Sequence, residues 1–415
     1  AVMGWMLLVP LGLFLNPSLT AGVTDTAGFI DLSTEVWLKQ VRPLAVGTMI
    51  VAAFYTLFKL RTQLIEGIGR AFVDIKKART GGGAVTRLNL DLDFTKVGIA
   101  TVALSVPVAG LYWFFSRSLP GAIVLTVVMM TLGFLFSAVA GYLVGLLGSS
   151  NNPISGLTLS TLLIAAVLMV SMRITGPGGV LGVLGVAGVV CCAAGIAGDM
   201  LQDLKVGHIL GGTPWKMELA EIIGVIIAAL VLIWPMIAMD RVYEIGSAEL
   251  PAPQAGLMAL MAQGIVGGDM AWPLVVTGMF LALGLILINS PSPMLIAVGM
   301  YLPFGSTSAI FVGGLMAWML SRSLTARGAD QAQVTQATNT GVLLSSGFIA
   351  GEALMAVLLA FVVLGGSAFG VAKVLPSIAE SALLGGVVFV GLYYLLVHVS
   401  LRASGTGGTR QPPTG

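Results

Sequence analysis

Asn151-Asn152-Pro153-Ile154-Ser155-Gly156 opens an apolar run that holds to Met172, and a second run from Gly178 ends on Ile196-Ala197-Gly198-Asp199. Each run approaches the roughly 20 apolar residues that a helix needs to cross a hydrocarbon core. The same spelling returns downstream. Asn289-Ser290-Pro291 opens another apolar run, and Ile349-Ala350-Gly351-Glu352 follows 63 residues after Asn289, against 48 residues from Asn151 to Asp199. The chain therefore reads as an internal duplication. Each copy sets an Asn-x-Pro helix start and an ionisable carboxylate inside sequence greasy enough to span lipid.

Working outward, 57% of the 415 residues are hydrophobic and 9% are charged, whereas soluble domains hold about 25% charged residues. That balance predicts an integral membrane protein. Strands of a barrel would alternate over roughly ten residues, and the runs here are continuous and about twice as long, so the spans are helices. The 55 glycines fit, because small residues let membrane helices approach closely. Spans are expected near Val41 to Leu60, Val97 to Phe115, Ala122 to Leu147, Pro153 to Met172, Gly178 to Gly198, Leu219 to Met239, Trp272 to Ile288, Met294 to Leu320, Gly341 to Leu364 and Ala382 to Val399. With an apolar first segment running to Leu15, this gives an all-α, polytopic helical bundle of about eleven spans.

The expected organisation is N-terminal spans over 1–60, a basic loop over 61–96, a first four-helix repeat over 97–216, and a second over 217–380 with an outer loop at 240–269. A last span follows over 381–402, then a disordered tail over 403–415 rich in Gly, Thr and Pro. Between Lys59 and Lys96 lie eight of the chain's 20 basic residues, which makes that connection cytoplasmic by the positive-inside rule. Ala1 already lies in apolar sequence with no basic region before it, so the expectation is the downstream part of a longer protein.

Several function classes fall away. A net charge of +2 with no aromatic-interleaved basic patch does not suggest nucleic acid. Cys191 and Cys192 are neighbours in an apolar run and read as packing residues. His208 and His398, the two histidines, supply no catalytic constellation and no metal cluster, so no cofactor is expected. Asp91-Leu92-Asp93 has the look of a metal-binding pair but lacks further acids nearby. A membrane-embedded enzyme acting on a lipid or peptide, or a passive channel, is the alternative to a carrier.

The marked polar residues admit two readings. Proline in the first helical turn is free of cost and an Asn before it can cap, which explains both Asn-x-Pro sequences without a substrate. If those starts lie below the membrane surface, their free N–H groups and helix dipoles instead converge on an anion, with Asn151, Asn152, Ser155, Asn289, Ser290 and Ser292 adding neutral hydrogen bonds. Glu352 sits about a dozen residues into its span, where an ionised carboxylate costs roughly 2.5 kcal/mol or more, so it must be protonated, paired or wetted. Asp199, its repeat mate, ends its helix, where solvation is easier. Both are candidates for handling protons. The stretch from Tyr301 to Ser308 carries Pro303, Gly305 and hydroxyls including Ser306 and reads either as an unwound segment lining a cavity or as a proline kink. Ala252 to Ile265 has helical spacing of Leu257, Leu260 and Met261, suited to an interfacial helix or a lid.

At these residues the chain resembles the oligopeptide transporter family, whose branches include the yellow stripe-like metal-chelate carriers. The likeness rests on Asn152-Pro153-Ile154-Ser155-Gly156, on Ala197-Gly198-Asp199-Met200-Leu201-Gln202-Asp203-Leu204-Lys205, on Leu250-Pro251-Ala252-Pro253-Gln254-Ala255 and on Gly347 to Glu352. It implies a proton-coupled symporter of peptides or peptide-like metal chelates working by alternating access. It also implies a prokaryotic member, lacking its N-terminal part, in the cytoplasmic (inner) membrane. Protons, a small substrate and membrane lipid are then the partners, and a homo-oligomer is compatible with them.

Overall fold

The computed structural model describes residues 2–20, 25–59, 61–62, 65, 87–147, 152, 154–247, 250, 252–268, 270–368 and 381–406. Packing divides the chain into two compact units, one of Val2–Ala229 with Ala252–Tyr301, the other chiefly of Leu230–Pro251 with Leu302–Gly415. These units cut across the expected repeats at 97–216 and 217–380. Shared packing and a duplicated sequence are separate properties, and the first does not test the second.

In the first unit, α1 (Val9–Leu15) follows a π-turn over Val2–Leu8, and α2 (Thr26–Val36) runs through a π-segment, Trp37–Val41, into α3 (Arg42–Lys59). Next come α4 (Phe94–Ser116), α5 (Leu119–Leu147), α6 (Ile154–Ser171), α7 (Pro177–Ile209) and the start of α8 (Pro214–Tyr243). The unit closes with α9 (Pro253–Ala262), a π-turn over Gln263–Gly267, α10 (Trp272–Leu287) and α11 (Pro293–Tyr301). The second unit holds the end of α8, α12 (Phe304–Ala326), α13 (Gln331–Ala368), α14 (Ala382–Tyr393), a π-segment Tyr394–Val399 and α15 (Ser400–Thr406).

Among the described residues, eight helices are long and apolar enough to cross a membrane: α4 to α8, α12, α13 and the stretch Leu383–Ala403. Of the other expected spans, Val2–Leu15 and Trp272–Leu287 are shorter apolar helices, and Val41 to Leu60 is the downstream half of the continuous α2–α3 helix. The expected span from Met294 to Leu320 is two helices, because the chain leaves helical form at Leu302–Pro303 and starts afresh at Phe304. Thr307 there returns its hydroxyl to the Pro303 and Phe304 carbonyls (3.2 and 3.1 Å) and Ser308 to Gly305 (2.9 Å). The interruption is therefore a two-residue break, not an unwound stretch reaching Ser308. The last helix also runs through Ala403 to Thr406, so the tail expected from 403 does not begin there; residues 407–415 lie outside the described ones, as do 66–86 of the basic loop.

Among the described residues no strand forms beyond one isolated bridge, Ile245 with Leu250. Helix α6 is the centre of the first unit, with Gly156 to Leu163 buried on every side. Three of its hydroxyls would be costly there if unpaired. Thr158, Ser160 and Thr161 each donate instead to the carbonyl one turn back, at 2.8, 2.8 and 2.9 Å. Glycine does the packing elsewhere. A Cβ on Gly182 of α7 would lie 2.7 Å from Leu125 Cδ1 of α5. A Cβ on Gly47 of α3 would lie 1.9 Å from the Val275 oxygen of α10, and one on Gly278 1.9 Å from the Leu44 oxygen. Backbones this close exchange dispersion contacts and polar contacts that larger side chains would prevent. One apolar cluster joins these helices through Met49, Leu125, Leu162, Val186, Leu257 and Met300.

The second unit is held by a smaller cluster, Leu324, Ala337, Val397 and Leu401. Helix α13 starts with a reciprocal cap: Gln333 N–H donates to Asp330 Oδ1 at 2.7 Å, and Asp330 N–H donates to Gln333 Oε1 at 3.0 Å.

Candidate functional site

The first Asn-x-Pro start and its carboxylate motif meet in space. Asn151 and Pro153 lie outside the described residues, but Asn152 precedes α6 and reaches α7, donating from Nδ2 to the Ala194 carbonyl at 3.4 Å. A Cβ on Gly198 would stand 3.0 Å from the same Nδ2 and 2.9 Å from Val144 Cγ2. Glycine at 198 is thus what lets the asparagine lie against the helix whose next residue is Asp199. Asn152 Oδ1 is buried and has no hydrogen-bond partner among the described residues. Asn152 is half-buried, whereas Ser155, one turn into α6, is exposed.

Asp199 is exposed on α7 and belongs to a group of carboxylates drawn from α7 and α8. Glu221 of α8 lies within electrostatic range of Asp203, Asp199 and Glu218. Glu218 also accepts the Leu92 backbone N–H at 2.9 Å, and Arg87 Nη2 donates to the Gly211 carbonyl at 2.9 Å. The basic loop's end is thereby pinned to the α7–α8 turn. Asp93, the second acid of the Asp-Leu-Asp sequence, caps α4 by accepting the Thr95 N–H at 2.9 Å. Among the described residues no three His, Cys, Asp or Glu side chains are placed to hold a metal.

The downstream copy is built differently. Asn289 does not open a helix. It takes a left-handed conformation (φ 54°) and closes α10, with its N–H on Ile286 O at 2.9 Å and the Ser290 N–H on Leu285 O at 3.0 Å, the pattern of a Schellman ending. The next helix is started by Ser292, whose hydroxyl accepts the Leu295 N–H at 3.4 Å, with Pro293 as first helical residue. Sequence alone could not separate the two, since Asn serves both as an N-cap and as a left-handed helix terminator. Asn289 is exposed, while Ser290 and Ser292 are half-buried.

Glu352 and Ser306 belong to the second unit. Ser306 is half-buried in the first turn of α12, and Glu352 is exposed in a stretch of α13 where every residue from 346 to 355 is exposed. On that stretch Ile349 and Leu354 are 69% and 73% exposed, so the apolar side chains beside Glu352 are as open as Glu352 itself among the described residues.

Tyr301 is the site residue with the richest surroundings, and it leads to one that sequence reasoning missed. Its hydroxyl accepts from Arg42 Nη2. The Arg42 guanidinium carbon lies 4.4 Å from the Tyr301 ring centre and 5.3 Å from that of Trp37. Trp37 is fixed in turn by its indole N–H on the Met300 carbonyl, 3.0 Å, and by stacking on Trp5 at 5.2 Å. The π-segment Trp37–Val41 delivers this geometry: the Arg42 N–H bonds the Trp37 carbonyl five residues back, which puts both side chains on one side of the helix, and such bulges recur at functional sites. Above them passes α9, the expected interfacial helix or lid, where a Cβ on Gly256 would be 3.5 Å from the Tyr301 hydroxyl and 3.8 Å from Arg42 Nη2.

Arg42 is half-buried, and its Nε is buried without a hydrogen-bond partner among the described residues. Glu35, one carboxylate earlier on the same helix, is engaged by Lys39 at 2.6 Å, and that is the one ion pair among the described residues. Burying a cation without a counter-charge is costly, and a desolvated cation–π contact returns about 2 kcal/mol or more. Two aromatic faces and a phenol thus hold the guanidinium in place without neutralising it. Its one sequence signal was an arginine at the head of an apolar span, preceded by tryptophan at five residues.

Eight crossing-length helices, hydroxyls turned back on their own backbone and polar groups gathered where helices start and break define a polytopic α-helical membrane protein. The chain belongs to the OPT oligopeptide transporter family, whose model matches residues 1–363. It is 31% identical over 388 residues to a Haemophilus influenzae protein provisionally named an oligopeptide transporter, covering 83% of this chain and 60% of that protein. It is 26% identical over 267 residues to a similarly named protein of Saccharomyces cerevisiae, covering 60% of this chain and 34% of that protein. The chain thus spans well under two thirds of the length of these relatives. No solved structure matches it.

Proposed function

We propose that this chain works in a secondary transporter that moves oligopeptides, or peptide-like metal chelates, with protons by alternating access in a prokaryotic cytoplasmic membrane. The observation that supports it most is Asn152 lying on the Ala194–Gly198 backbone beside Asp199, with Oδ1 buried and unpaired. An unpaired buried acceptor is expensive in an apolar bundle unless something else donates to it, and a peptide N–H is such a donor. In this reading Asn152, Ser155, Ser290, Ser292 and Tyr301 of the first unit supply neutral hydrogen bonds, as do Asn151 and Asn289, while Ser306 offers its hydroxyl within the second unit.

Asp199 and Glu352 bind and release the coupled protons. An exposed carboxylate on an apolar helix is stable in lipid when protonated or covered, so loading and unloading Glu352 changes how well α13 is tolerated there. A second copy of the chain, or the part of the longer relatives that this chain does not span, would cover that helix. Uptake of a tripeptide into proteoliposomes is the test: accumulation should require an inward proton gradient and collapse with an uncoupler, and gradient-independent equilibration alone would overturn the coupling.

A further inference from the structure

We propose that Arg42 is an oxyanion subsite, walled by Trp37, Tyr301 and Gly256, that takes the terminal carboxylate of the transported peptide; this rests on the peptide-transport reading above.

Four observations carry it. The guanidinium meets no carboxylate among the described residues, and the nearest acid on its helix is occupied by Lys39. Its Nε donor is buried and unused, while Nη2 is steered by the Tyr301 hydroxyl. The rings of Trp37 and Tyr301 hold the guanidinium by cation–π attraction, its carbon 5.3 and 4.4 Å from their centres, a contact that consumes none of the N–H donors along its edge. That edge is the part that recognises a carboxylate through paired, charge-assisted hydrogen bonds. Glycine at 256 keeps side-chain volume off the same spot, since even a methyl would touch both Tyr301 and Arg42.

Arginine also fits the ligand better than lysine would. Planar, weakly hydrated and always charged, it gives up less hydration on entering an apolar wall. Phosphate of a lipid headgroup presents similar oxygens, so the test must separate the two.

The full chain, purified in detergent micelles, is titrated with a trialanine acid and with its C-terminal amide, following tryptophan fluorescence and melting temperature, and the same two peptides are offered to proteoliposomes. The wild type should bind the acid at least about tenfold more tightly than the amide. Arg42→Gln should erase that preference, lowering acid binding to the level of the amide while leaving amide binding unchanged. Gly256→Leu, which keeps the arginine, should weaken both by occlusion. Equal binding of acid and amide, no binding of either, or a preference that survives Arg42→Gln would overturn the proposal. So would an Arg42→Gln protein whose sole change is loss of co-purified anionic phospholipid. Uptake without acid preference would sink this subsite and leave peptide transport standing; acid-selective binding without uptake would do the reverse.

Discussion

Thr48 of α3 donates its hydroxyl to the Gly278 carbonyl of α10 across a helix crossing, at 3.0 Å, while sharing the same proton with Leu44 of its own helix. The bond is reachable because Gly47 and Gly278 bring the two backbones into contact. Replacing Gly278 by Leu must push the helices apart and strand Thr48. Overpacking of this kind typically costs about 1–3 kcal/mol, and the lost buried bond adds about 1 kcal/mol more. A fall in melting temperature, read by fluorescence-detected size exclusion, is expected for Gly278→Leu and for Gly47→Leu. Unchanged melting in both would contradict so close a crossing.

At the other glycine contact the effect should be on transport. Gly198→Ala sets a carbon 3.0 Å from Asn152 Nδ2 and 2.9 Å from Val144 Cγ2, and a displaced asparagine changes what the start of α6 offers a substrate. Uptake by Gly198→Ala should fall by about tenfold, as should uptake by Asn152→Ala, the order of one lost hydrogen bond to a ligand. The double variant should be no worse than either alone, since neighbours that act through one contact do not add. Strict additivity would separate the two residues.

Glu352→Gln holds the residue permanently neutral. Gradient-driven accumulation should vanish while exchange of labelled for unlabelled peptide continues, which proteoliposome counterflow measures directly. Asp199→Asn should reduce accumulation less, because Asp199 shares its surroundings with Asp203, Glu218 and Glu221 and those acids can hold the proton in its place. Full accumulation by Glu352→Gln would remove that residue from the coupling.

Glu218 predicts something outside transport altogether. Its carboxylate accepts the Leu92 N–H at 2.9 Å, and Trp215 N–H donates to Leu90 O at 3.0 Å. Glu218→Ala should release this end of the basic loop, raising amide hydrogen exchange at Leu92 by about tenfold, as expected for one charge-assisted bond of about 1.5 kcal/mol. Melting temperature should hardly move.

Much of the architecture could be read from composition and run length, because lipid leaves a chain no way to satisfy its backbone except by helices or closed barrels. Boundaries drifted where caps decide them. Asn289 was read as a start and is an end, since the side chain that caps one helix can equally sit in the left-handed residue closing another. The Tyr301–Ser308 interruption shrank to Leu302–Pro303 because hydroxyls bond within a helix turn as readily as to a ligand.

What the linear order determined is the class, through long apolar helices, and two motifs, one at Asn152 and one at Gly198-Asp199, each recognisable by spelling, which the fold then brings together. What the tertiary structure decided is where charge sits unneutralised. Whether Arg42 has a partner depends on residues such as Tyr301 and Gly256, more than 200 positions away in the sequence, and on the π-turn that aims Trp37 under it. Hydrogen bonds and cation–π contacts need their groups within a few ångströms in space, whatever the separation along the chain, so only the fold could bring those groups to one place.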